Sequence, residues 1–251
     1  MTLGVAACDS GGSGSNATNS KASAAPVDAK QVLVDSTREI SDGNFKFTMA
    51  GDGMTGGGVV HLPTRSAQMS LTFASNDLEM TMEMIYVEPD SWVKLDLGEL
   101  GDQVPGMEKL SGKYLHLDQS KIRDIEDLKF DFQNVDPAGS SALMKAIVDV
   151  RKTGEGVYSG TVDLTKAPDA EMVDEELVKT LGTQANALPF EAKLDPQGRL
   201  TEFAIKMPAA VGTQAYDLKI TYSDYGSAAA VQKPPANETV EAPAEAYKMF
   251  Q

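Results

Sequence analysis

Residues 188–208, LPFEAKLDPQGRLTEFAIKMP, alternate apolar and polar side chains on both sides of a turn signal. Leu188, Phe190, Ala192 and Leu194 share one face, with Glu191 and Lys193 on the other. After the turn, Phe203, Ile205 and Met207 oppose Glu202, Ala204 and Lys206. A period of two with one wet face is the mark of a strand in an antiparallel sheet that is solvated on one side. The intervening DPQGR, residues 195–199, carries the proline and glycine of a hairpin turn. The two strands are therefore predicted to pair directly and to present one apolar face that something must cover.

The same alternation extends outward. In YDLKITYS, residues 216–223, Tyr216, Leu218, Ile220 and Tyr222 oppose Asp217, Lys219, Thr221 and Ser223. Near the other end, Phe45, Phe47 and Met49 alternate with Asn44, Lys46 and Thr48. GDGMTGGG (51–58) reads as a glycine-rich turn, and GVVHLP (58–63), AQMSLTF (67–73) and LEMTMEMIYVEP (78–89) read as successive strands of a meander. Glu88-Pro89-Asp90 is a turn into a strand containing Trp92, Val93, Lys94 and Leu95. Residues 97–112 carry turn formers throughout and are predicted to be a long loop, followed by a short strand in KYLHLD (113–118).

Three helices are expected. The first covers about 28–41, with Ala29, Val32, Leu33, Ser36 and Ile40 at helical spacing, Asp28 as cap and Gly43 as stop. The second runs about 137–149 after the Asp136-Pro137 start signal, with Ala142, Leu143, Ala146, Ile147 and Val150 as its stripe. A strand with Val157, Tyr158, Val162 and Leu164 intervenes. The third helix runs about 168–181, with Val173, Leu177 and Leu181 inward and Gly182 ending it. Strands with one apolar face need a cover, and the amphipathic helices are the available one. The predicted fold is α+β: a curved antiparallel half-open β-barrel with helices packed on its concave face.

Composition narrows the functional classes. Lys and Arg number 22 against 37 Asp and Glu, for a formal net charge of −15. Such a surface repels phosphate backbones, so no nucleic-acid partner is expected. The 251 residues contain one cysteine, Cys8, so an intrachain disulfide and a cysteine-based metal cluster are excluded. The two histidines, His61 and His116, have no partner at metal-ligand spacing, and both are expected on solvent-facing sides of strands. No G-x-S-x-G, P-loop or H-E-x-x-H pattern occurs. Glu175 and Glu176 fall on the polar side of the third helix, where a solvated face is the expected reading. No catalytic residue, metal site or cofactor is assigned.

The start of the chain carries a different signal. Ala6 and Ala7 precede Cys8, and a Gly/Ser/Asn/Ala run follows, an arrangement that resembles a bacterial lipobox. The resemblance implies cleavage before Cys8 and a diacylglyceryl group on its thiol; the basic and most of the apolar parts of a leader are missing before it. Residues 9–26 have the composition of a flexible coil. Some 18 such residues span about 23 Å, enough to lift a folded domain off a bilayer. No apolar run of 18 residues occurs, so Cys8 is the expected sole anchor. The expected organisation is leader remnant and tether over 1–26, one domain over 27–240 and a tail over 241–251.

Segments VDPAGSSALMKAIVDVRKTGEGVYSGTVDL (135–164), LPFEAKLDPQGRLTEFAIKMP, YDLKITYSDYGSAAAVQKPPANETV (216–240) and YVEPDSWVKLDL (86–97) are together similar to actinobacterial lipoproteins of the LppX/LprG type. Their fold is the half-open barrel of the LolA/LolB lipoprotein carriers. The resemblance implies a monomeric, membrane-anchored carrier on the extracytoplasmic face of the cell membrane, not an enzyme, with a cavity for acyl lipids or glycolipids between sheet and helices. Similar half-barrels also occur in periplasmic regulators, so a sensor or assembly factor that holds a protein partner is the alternative. Leu78, Met80, Met82, Met84 and Tyr86 lie on one face of their strand and are the candidate ligand-contacting residues. Methionine is flexible and polarizable, and it serves equally as gap-filler in a packed core and as an adaptable cavity wall. Both readings of this row remain open at the level of sequence.

Overall fold

The computed structural model describes residues 28–75, 78–98, 101, 112–122, 125, 128–170, 172–173, 175–209 and 214–247. Cys8, the tether and most of the 97–112 loop lie outside the described residues.

The strands are β1 (Asn44–Ala50), β2 (Met54–His61), β3 (Ser66–Ser75), β4 (Leu78–Val87), β5 (Asp90–Asp96), β6 (Tyr114–His116), β7 (Ile147–Gly154), β8 (Val157–Val162), β9 (Leu188–Leu194), β10 (Leu200–Met207), β11 (Tyr216–Ser223) and β12 (Thr239–Glu241). They form one 12-stranded sheet in the order β12-β6-β5-β4-β3-β2-β1-β11-β10-β9-β8-β7, which is open at β12 and β7. Every pairing is antiparallel except β12 with β6. The hairpin read from DPQGR joins β9 and β10, with Phe203 opposite Ala192 and Ile205 opposite Phe190. Pairing of β1 with β11, Phe47 opposite Tyr222, joins the N-terminal meander to the C-terminal strands.

Burial follows the alternation. Phe45, Phe47 and Met49 are buried in β1, and Leu218, Ile220 and Tyr222 in β11. These side chains meet on the covered face of the sheet. Phe45 packs edge-on to Tyr222 at 5.5 Å, and Phe190 lies 5.1 Å from Phe203. The opposite face carries paired charges such as Glu202, which accepts from both Lys193 and Lys219 at 2.8 and 2.7 Å.

The helices are shorter than the sequence predicts. The first is split into α1 (Ala29–Asp35) and α2 (Arg38–Ser41). Asp28 caps α1 by accepting from the Lys30 backbone N–H at 2.9 Å. At the break, Ser36 and Thr37 donate their hydroxyls back to the carbonyls of Leu33 and Val34, competing with the helical ladder. The predicted second helix is α3 (Ser140–Lys145), and residues from Ile147 form β7 instead. Ile147, Val148 and Val150 are β-branched and favour a pleated strand, and β7 is a strand paired to β8 with Ile147 buried. The N-cap of α3 is Gly139 and not Asp136, which lies before the helix with Pro137; its carboxylate still accepts from the Ser140 and Ser141 backbone N–H groups at 3.0 and 2.8 Å. The third helix is α4 (Glu175–Leu181), preceded by turns around Pro168 and Ala170.

Two further readings need correction. The glycine-rich turn is only Gly51-Asp52-Gly53; Gly56, Gly57 and Gly58 are inside β2. They are there for closeness: a Cβ at Gly58 would sit 2.1 Å from the Gln68 carbonyl oxygen. The helices also share the task of covering the sheet with an irregular segment. Leu117, Ile122, Ile125, Leu128 and Val135 are buried in the main core, and Phe130 lies 5.4 Å from Tyr86. Beyond residue 240, the chain continues through Glu241 in β12 to α5 (Ala244–Tyr247), where Ala246 and Tyr247 are buried.

Candidate functional site

β4 places Leu78, Met80, Met82, Met84 and Tyr86 on the covered face, in register with an apolar row on each neighbour. Met84 stands opposite Met69, Met82 opposite Leu71 and Met80 opposite Phe73 on β3. On β5, Val93 and Leu95 face Met84 and Met82. One strand further on, Met54 pairs with Phe73 and Gly56 with Leu71, and Met49 stands opposite Gly56 on β1. Met49, Met54, Met69, Met80, Met82 and Met84 thus share one wall, half of the chain's 12 methionines. The sequence reading found the three on β4 and missed the others. The missed signal was Gly56 and Gly58, which mark β2 as a strand whose neighbours lean over it: a Cβ at Gly56 would lie 2.5 Å from Leu71 Cδ2 and 3.3 Å from Met49 Cγ.

The row is graded from interior to solvent. Tyr86 and Met84 belong to the packed core, Met84 being only 3% exposed. The Tyr86 hydroxyl donates to Met84 Sδ at 3.1 Å, and burial pushes its phenol well above the ordinary range. Met82 and Met80 are half-buried, and Leu78 is 47% exposed. Phe73, opposite Met80, is 39% exposed. Only the Tyr86 and Met84 end of the row is packed core; toward Leu78 it meets solvent.

On the other face of the meander, Thr81 bonds to Thr72 at 2.9 Å, and Glu83 accepts from Gln68 at 2.7 Å and lies 3.4 Å from Lys94. That face is not wholly polar. Ile85, Trp92 and Tyr114 form a small buried cluster with Val87 and Val231 packed on it.

A separate cleft of about 580 Å³ lies beside α3, lined by Asn134, Asp136, Ser141, Lys145, Asp169 and Val173 among others. Most of these side chains are polar or charged, and Asp136 is already engaged by the first backbone N–H groups of α3. Ser140 and Tyr222, whose hydroxyls are 2.8 Å apart, join α3 to β11.

The remaining candidates are scattered. His61 Nδ1 lies 2.7 Å from the Thr64 hydroxyl. His116 is not simply solvent-facing: it is half-buried between Asp90 and Glu241, residues too far apart in the sequence for spacing to reveal. Glu175 is exposed and pairs with Lys179 one turn along α4, the solvated face expected of it. Among the described residues no group of three or more His, Cys, Asp or Glu is placed to hold a metal ion. Among them, too, no helix is long and apolar enough to cross a membrane. No protein-family model matches the chain, and no curated protein matches it either.

Proposed function

We propose that this is a cell-envelope lipoprotein that binds acyl lipids or glycolipids and carries them, held to the extracytoplasmic face of the membrane by a lipid on Cys8. The proposal includes the finer architecture: a half-open barrel of the LolA/LolB type, related to LppX/LprG-type lipoproteins, whose concave side receives the ligand.

One observation carries it. The methionine-rich wall runs without interruption from packed core at Tyr86 and Met84 to partly exposed side chains at Met80, Leu78 and Phe73. An acyl chain is a flexible apolar cylinder of variable length. A wall of unbranched thioethers accommodates such a ligand by changing rotamers, at little strain. Each methylene removed from water contributes about 0.8 kcal/mol, so even a short chain laid along Met82, Met80 and Leu78 gains several kcal/mol. The protein has no enzymatic role in this reading; its work is to exchange water for thioether contacts around a ligand made elsewhere.

The partial exposure of Phe73 and Leu78 also suits a second occupant, an apolar segment of a partner protein, as in an envelope sensor or assembly factor. Native mass spectrometry and organic extraction of the protein purified from its own host separate the two. Co-purified acyl lipid in near-stoichiometric amount is the expected result. A ligand-free protein that retains a stoichiometric protein partner after cross-linking would replace the carrier with the sensor.

A further inference from the structure

The chain leaves β11 in the middle of the sheet and reaches its far edge at β12, with six strands between β11 and β12. It makes this crossing with little regular structure. Gly226 and Ala228 donate backbone N–H groups to Asn44, Val231 donates to the Ser66 hydroxyl at 3.1 Å, and Lys233 reaches Asp90 at 2.6 Å. β12 then pairs with β6 over three residues, in the sheet's single parallel ladder. Such a short ladder is weak by itself, so side chains must do much of the fastening.

Lys113 donates to the Asn237 carbonyl at 3.0 Å, the Tyr247 hydroxyl accepts from the Asp118 backbone N–H at 2.9 Å, and Ala242, Ala246 and Tyr247 are buried; the charged part of the fastening meets at His116 in β6. Its Nδ1 lies 3.0 Å from Glu241 Oε1, and its Nε2 lies 3.2 Å from Asp90 Oδ1. Both oxygens belong to carboxylates, which only accept when ionised. A neutral imidazole has one N–H, so it satisfies one carboxylate and sets a lone pair against the other; the imidazolium donates to both. The other charges around the ring are Lys233, paired with Asp90 and 5.6 Å from the centre of Trp92, and Asp118, just beyond β6. Trp92 lies 5.4 Å from the imidazole.

We propose that the segment from Ala228 to Tyr247 is a detachable strap, latched across β6 by the imidazolium of His116 gripping Asp90 on β5 and Glu241 on β12. Release uncovers the β6 edge and the cluster of Trp92, Ile85 and Tyr114. Partial burial by itself disfavours the charged ring, but the hydrogen bonds to Glu241 and Asp90 outweigh it, and the His116 pKa stands above its ordinary 6.5. The Lys233 hydrogen bond holds Asp90 below the usual carboxylate range against the opposing effect of burial. With the histidine raised, the latch is fully present below the unfolded-state value and is lost as pH rises through the folded one. The strap is held more firmly in mild acid and loosens on the alkaline side.

The test is hydrogen exchange of the whole protein, read by mass spectrometry at about pH 6, below the ordinary imidazole value, and about pH 8.5, well above it, and corrected for intrinsic exchange. Protection of peptides within 228–247 is expected to fall roughly tenfold at the higher pH, the scale of a charge-assisted contact losing its charge, while β9 to β11 stay unchanged. Trp92, the only tryptophan, reports the same transition in its emission. His116→Gln should make strap protection independent of pH, whether the strap is then held or loose. Equal protection at the two pH values in the wild type, or the same fall in His116→Gln, overturns the proposal.

Discussion

The same substitution made at two places in one strand should have opposite consequences. Met82 and Met84 both face the covered side of β4, two residues apart. Met84 is 3% exposed and accepts the Tyr86 hydroxyl, so a tryptophan there must displace packed neighbours. Overpacking of this kind costs about 1–3 kcal/mol. Met82 is half-buried between Leu71 and Leu95, on the side of the row that leads to solvent, so a ring there can extend toward solvent without displacing a closed core. Its cost is expected below about 1 kcal/mol, within the range of substitutions outside a filled core. With a urea m-value of about 2 kcal/mol/M, Met84→Trp lowers the denaturation midpoint by roughly 0.5–1.5 M and Met82→Trp by less than about 0.5 M. Binding runs the other way: Met82→Trp fills the volume an acyl chain would use and abolishes uptake of a fluorescent fatty acid, while folded Met84→Trp retains it. Equal shifts in the two midpoints would refute the graded wall. Unchanged uptake by Met82→Trp would refute its role in ligand contact.

Two other perturbations probe what holds the sheet. Gly58→Ala places a Cβ 2.1 Å from the Gln68 carbonyl and 2.9 Å from the Phe47 ring; overpacking of about 1–3 kcal/mol exceeds the roughly 0.5–1 kcal/mol gained by removing a strand glycine, so urea denaturation should show a net loss, and an unchanged or raised midpoint would contradict the close approach of β2 to its neighbours. Asp195 accepts from the backbone N–H groups of Gln197 and Arg199, both at 2.9 Å, and from Arg199 Nε at 2.7 Å. Burial raises its pKa, but these bonds outweigh it and hold the carboxyl below the usual range. Its stabilisation is therefore present above the unfolded-state pKa and lost as pH falls through the lower folded value. Asp195→Asn should cost about 1–2 kcal/mol at neutral pH, with the difference from wild type shrinking in acid; a pH-independent difference would assign the loss to shape and not to charge.

The strand faces were legible because alternation is a local property. Phe203 and Ile205 face inward whichever strand lies beside them, and the pairing of β9 with β10 needed only the short DPQGR turn. The helix ends were less legible. Ala142, Leu143, Ala146, Ile147 and Val150 satisfy a helical stripe, yet a short helix followed by a strand buries Leu143, Ala146 and Ile147 as well. Local periodicity cannot separate these solutions; strand pairing with β8 does.

The candidate site divides in the same way. By itself the sequence determined the alternation that puts Leu78, Met80, Met82, Met84 and Tyr86 on one face, because successive strand side chains must point in opposite directions. The tertiary structure decided which of them are core and which meet solvent, that Met49, Met54 and Met69 complete the wall, and that Glu241 returns across six strands to His116. Side-chain direction is set within two residues of chain, whereas burial and pairing of charges depend on segments far apart in sequence arriving at the same place, which only the assembly of the whole sheet arranges.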